Sequence, residues 1–192
     1  MTRIFKILFF IVVFSFSISC NNKKSTSFQT VSFDDLELKR GDLLLCGDPN
    51  FGEVDFSLSC RYDLREKFNL GLTLIHSFEY AEAEKVFVSI LDDDRDCVMA
   101  YWATAMSILN HPLSFRQNEE SLERGEELLK VAKTLIVNNE REKDYLDAVS
   151  IYFQDWQNLD TQTRKLKYES KMEELYLKYP DDVETAVFYS LA

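Results

Sequence analysis

The sequence is poor in the residues that punctuate a chain. Five glycines and three prolines serve 192 residues, and Gly41, Gly47, Pro49 and Gly52 fall within one short window. From Glu53 to Ala192 only Gly71, Gly125, Pro112 and Pro180 remain. Tight hairpins draw on glycine and proline for their turns, so that stretch is expected to be helical. Histidine is as scarce. His76 and His111 are the two in the chain, which leaves little material for acid–base or metal chemistry. Basic residues are outnumbered, with Lys+Arg at 22 against Asp+Glu at 33 and a net charge of −11. A chain of that sign is repelled by a phosphate backbone, which excludes nucleic acid as the expected partner. The sequence also lacks G-x-S-x-G, a P-loop, H-E-x-x-H and a dinucleotide fingerprint. No enzymatic activity, metal or cofactor is therefore expected.

What the chain does have begins at its first residues. Arg3 and Lys6 precede an apolar run, Ile7 to Ser19, interrupted only by serines. Such a run is too short to span about 30 Å of hydrocarbon but suits the h-region of an export signal. It closes on Ser17-Ile18-Ser19-Cys20. A small residue before Cys at this place resembles the signal of bacterial lipoproteins. It departs from that family's pattern at Ser17, where an aliphatic residue is usual. The resemblance implies cleavage after Ser19, diacylation of Cys20 and an exported protein held at the cell envelope by its lipid. Residues 1–19 are thus expected to be signal, and 20–33, polar and rich in Ser, Lys and Asn, a flexible tether.

Residues 34–60 make up a lead-in segment. Val54, Phe56 and Leu58 alternate with Asp55 and Ser57, the period of a half-buried strand. Asp42 to Cys46 could supply a second strand, with turn chemistry at 47–52 between them. A small β-hairpin or an irregular cap on the first helices is expected here.

After Cys60 the apolar residues repeat every three or four positions. Examples are Phe68, Leu72 and Ile75, then Val86, Phe87 and Ile90, then Tyr101, Ala105 and Ile108, and Tyr145, Val149 and Tyr152. Asp94, Asp96, Asn118, Asn138, Asn139 and Asp160 stand between the runs as candidate helix caps. This pattern reads as all-α, a chain of antiparallel helices. Gly71, Leu74, Tyr80, Ala83, Phe87 and Ile90 resemble the tetratricopeptide repeat, a helix–turn–helix of 34 residues. Gly71 takes its small position in helix A, Tyr80 its turn aromatic and Ala83 its small position in helix B. Asp94-Arg95 stands where the family has Asp-Pro. Ala105 lies one period beyond Gly71. Gly125 and Leu129 take the small and large positions of the second helix B. Tyr179-Pro180-Asp181-Asp182 closes a third pair, and Val183 to Ala192 begins a fourth. The resemblance covers residues 61–192 and implies a helix-pair solenoid. Leu74 to Tyr80 and Met99 to Trp102 are also similar to bacterial tetratricopeptide lipoproteins. An apolar last helix implies a longer family member.

In such a solenoid Cys60 and Cys97 precede the first two A helices, whose like ends would be neighbours. A Cys60–Cys97 disulfide is the expectation, with Cys46–Cys60 as the alternative and free thiols as the third state. His76 and His111 fall at the ends of the same two helices, where imidazolium would gain from the helix dipole. A weaker reading joins them, with Glu79, in a ligand site. Asp92 to Asp96 lacks the Gly and Glu that a calcium loop of the EF-hand type needs, and reads as a solvated turn. The resemblance further implies a concave groove lined by A helices. Phe68, Leu72, Ile75, Met99, Trp102, Met106 and Phe153 fall on its ligand-facing positions. The basic clamp that chaperone-binding members use for a carboxylate is absent. Two functions follow as expectations: a membrane-anchored, non-catalytic scaffold that buries an apolar protein or peptide segment, or a glycan-capture lipoprotein of an outer-membrane uptake system.

Overall fold

A computed structural model describes residues 31–45, 52–109 and 118–192. The signal, Cys20, most of the tether, Cys46, the 46–51 turn and His111 lie outside these residues. The regular structure is all helix, with no strand among the described residues. The described residues form seven α-helices, in order: α1 (Arg65–His76), α2 (Tyr80–Asp93), α3 (Val98–Leu109), α4 (Glu119–Ala132), α5 (Glu140–Phe153), α6 (Thr161–Lys178) and α7 (Val183–Ser190). Two single 3-10 turns, Phe33–Asp35 and Tyr62–Leu64, precede them. No helix of the described residues is long and apolar enough to cross a membrane.

The caps are local chemistry. Asn118, Asn139 and Asp160 each accept a backbone N–H from the first turn of the helix they precede. Asp182 does the same for α7. A short side-chain oxygen takes up a donor that the helix itself leaves unpaired, which is worth about 1 kcal/mol at each end.

Packing centres on α3. All twelve of its residues are buried, the mark of a helix surrounded on every side. Its two small polar residues turn inward on their own backbone: Thr104 donates to the Ala100 carbonyl (2.7 Å) and Ser107 to that of Ala103 (2.9 Å). Around it lie α1, α2, α4 and α5; α6 packs on α5, and α7 on α6. Two glycines allow close approach. A Cβ on Gly71 would stand 2.4 Å from the Phe87 ring, and one on Gly125 2.2 Å from the Phe153 ring.

Of the two forms expected of the lead-in segment, a β-hairpin or an irregular cap, its described residues show no strand. Residues 42–45 and 52–58 form no strand, and side chains on the helices take several backbone donors of the lead-in segment. Glu84 accepts from the Lys39 N–H (3.0 Å), Glu82 from Leu44 (2.8 Å), Asn69 from Phe56 (3.1 Å) and Glu142 from Ser59 (2.5 Å). The alternation at 54–58 is real, with Phe56 buried and Asp55 and Ser57 exposed. The buried core begins ahead of residue 34. Phe33, at the end of the expected tether, is buried edge-on against Tyr101 (5.8 Å) with the Arg95 guanidinium 3.9 Å over its ring.

Candidate functional site

The seven groove positions are all buried. Their neighbours explain why. Phe56, from the lead-in segment, stacks on Trp102 (6.0 Å between centroids, 10° between planes) and also meets Phe68 (5.5 Å) and Tyr145 (5.7 Å). Phe188, from α7, meets Trp102 edge-on at 5.2 Å. Phe68 and Trp102 thus belong to one aromatic cluster, completed by Phe56, Tyr145 and Phe188, none of which was expected among the groove positions. Phe153 belongs elsewhere, against Gly125 and Tyr152. Leu72 and Met99 are fully buried core.

Residues 55–59 are held in place from several sides. Arg141 donates to the Ser57 carbonyl (2.8 Å), lies 4.3 Å over the Phe56 ring, and pairs with Asp182 (2.6 Å). The Tyr145 hydroxyl donates to the same Asp182 oxygen (3.0 Å). Burial, followed by the Asp182 charge, pushes the Tyr145 phenol far above its usual range, so it stays neutral and a donor. Glu142, 1% exposed, also accepts the Ser59 hydroxyl. Glu82, Glu84 and Glu142 are buried acceptors.

Next to the segment, Cys60 and Cys97 form a disulfide with Cα atoms 5.0 Å apart. It joins the approach to α1 to the residue before α3. At the far ends of the same helices, Ile75 and His76 of α1 and Met106 and Leu109 of α3 line a common cavity of about 390 Å³. The cavity is completed by Phe78 and Tyr80 at the α1–α2 turn, Tyr168 of α6, Glu184, Val187 and Phe188 of α7, and by Glu53, Val54, Ser190 and Leu191. A largely apolar concavity of this volume with a few polar groups is the usual form of a binding site.

Backbone geometry singles out one wall. Phe78 has φ +65°, a left-handed conformation that an aromatic residue adopts at a cost of about 1–2 kcal/mol. Its ring remains exposed and meets Tyr80 edge-on at 6.2 Å. Burial raises the Tyr80 hydroxyl to about 12, so it too is neutral. Tyr168 is buried with its hydroxyl 3.6 Å from the Met106 sulfur.

His76 closes one side of the cavity. Its Nε2 lies 2.8 Å from Glu184 Oε2, and its ring is 5.4 Å from that of Phe188. The carboxylate it meets is therefore Glu184, 108 residues away, rather than the nearby Glu79. Among the described residues no group of three or more His, Cys, Asp or Glu is placed to hold a metal ion. The Asp92–Asp96 turn makes ion pairs through Asp92 with Arg40 and Asp93 with Lys67, and Asp94 caps the turn by accepting the Asp96 N–H.

No protein-family model, curated protein or solved structure matches the chain.

Proposed function

We propose that this chain is a lipid-anchored, non-catalytic binding scaffold of tetratricopeptide type, and that it receives a group of a protein or peptide partner in the cavity at the α1–α2 turn. What supports the repeat reading is the pattern of neighbours. Each of α1, α3 and α5 packs on the helix that follows it, and α3 touches both α1 and α5. Like ends of α1 and α3 meet, the starts through the disulfide and the finishes in the cavity. Gly71 sits against Phe87 as the small and large positions of one repeat should.

The observation that carries the binding reading is where apolar surface is left open. The central face expected to take a partner is filled by the chain's own Phe56 and Phe188. The cavity beside it keeps Ile75 and Met106 of the expected groove in its lining and adds the strained, exposed Phe78. A photo-crosslinking residue at position 78 of the lipidated protein in its native membrane is expected to give one discrete adduct. The same residue at the exposed Ile136 is expected to give none. Equal adducts from both positions would remove the cavity from the binding function. For the anchor, Cys20→Ser is expected to abolish palmitate labelling and to release the protein from the membrane fraction.

A further inference from the structure

The cavity's chemistry is specific about charge. Glu53 stands at its rim and Glu184 in its wall, and among the described residues no lysine or arginine lines it. With two carboxylates and a single imidazole among the described residues, that part of the lining is net negative in either state of His76. Arg164 precedes Tyr168 by one turn of α6, but it is 3% exposed, lies over the Tyr152 ring and does not line the cavity. The walls between the carboxylates are aromatic: Phe78, Tyr80, Tyr168 and Phe188. Aromatic faces beside carboxylates favour a cation with an apolar body, since the ring quadrupole and the acid charge attract the same sign. An anion meets repulsion here, and a neutral polar group finds few partners.

Glu184 is arranged for this task. It accepts from His76 through Oε2 alone among the described residues, and its side chain is 12% exposed. The carboxylate is thereby held against the cavity wall. The whole chain, at −11, attracts a basic partner before contact.

Building on the cavity reading above, we propose that the group taken up is a side-chain ammonium on an apolar stem, that of a lysine in a basic partner segment. The stem lies along Ile75, Met106 and Val187, and the ammonium meets Glu184 with the rings around it.

The test uses the full chain and two small probes, followed by NMR shifts of the Ile75 and Met106 methyl groups. Nα-acetyl-lysine N-methylamide carries the ammonium; the norleucine analogue carries the stem without it. The lysine probe is expected to bind about tenfold more tightly. Glu184→Gln is expected to bring the two within about twofold. If that variant does not fold by circular dichroism, Glu53→Gln at the exposed rim is read in its place, with a smaller loss in the same direction. Equal affinity of the two probes, unmoved by the substitution, would overturn the ammonium while leaving an apolar cavity that binds. Binding of maltotriose in preference to both would overturn it in favour of sugar capture. Shifts from none of the three would remove the cavity reading as well.

Discussion

Gly71 and Gly125 carry a constraint that no other side chain can meet. The space a methyl group would need is occupied by rings of Phe87 and Phe153, both buried and hemmed in on their other sides. Phe87 is itself in edge contact with Phe68 at 5.2 Å, so it cannot swing away without disturbing the aromatic cluster. Gly71→Ala is expected to lower stability by about 1–3 kcal/mol through overpacking. For a chain of this size that is roughly 2–4 °C in melting temperature per kcal/mol, read by thermal denaturation. An unchanged melting curve would mean that the two helices separate freely. Gly71 and Gly125 were legible in the sequence as small positions within apolar helices. Their partners were not legible; the Phe87 ring against Gly71 and the Phe153 ring against Gly125 come from neighbouring helices, the second from a face the pattern placed in a groove.

Among the elements, the segment from 52 to 59 matters most. It has no regular structure, yet Phe56 is 1% exposed at the meeting point of α1, α3 and α5. Phe56→Ala is expected to cost about 3–5 kcal/mol, measured by denaturant unfolding, and to expose Trp102 to solvent with a red shift in its fluorescence. A loss below about 1 kcal/mol would make the segment a surface decoration. The disulfide acts on the same element, because it closes a loop of 37 residues between the segment's end and the start of α3. Cys97→Ser is expected to cost about 4 kcal/mol by the chain-entropy relation, seen as a lower denaturation midpoint equal to that of the reduced parent. The extended character of 54–58 was readable from alternation. Its partners were not, since Asn69, Arg141 and Glu142 carry no period and look like ordinary helix surface.

Taken as a whole, the molecule holds its helices together partly through carboxylates that respond to acid. Burial pulls Asp144 upward, but hydrogen bonds from Lys178 (2.7 Å) and Tyr179 (2.7 Å) outweigh it and leave its carboxyl below the usual range. For Glu82, burial is likewise outweighed by Lys85 and the Leu44 N–H, and its carboxyl too lies low. Asp160 is lowered by the backbone N–H and hydroxyl of Thr163 at the start of α6. A carboxyl lowered in the folded state adds stability that is present above its unfolded value, about 4. That stability disappears as pH falls through the folded value. The melting temperature is thus expected to fall progressively below about pH 4. Asp144→Asn is expected to lower it at neutral pH and to flatten the acid limb. An acid limb identical to that of the parent would mean that the α5–α6 contact is indifferent to this charge.

Helical character, helix ends and the small positions are local properties. They follow from apolar period, from short oxygen-bearing caps and from the scarcity of glycine and proline, and each can be read within a few residues. The occupant of the central aromatic face could not be read that way. Phe56 and Phe188 lie 132 positions apart and meet on Trp102. Any of several apolar residues had the composition to fill that place. Chain closure selected these two, together with the buried acids that satisfy the irregular backbone beside them. A polar group's burial depends on what folds over it, and that is a relation between distant segments which no single segment carries.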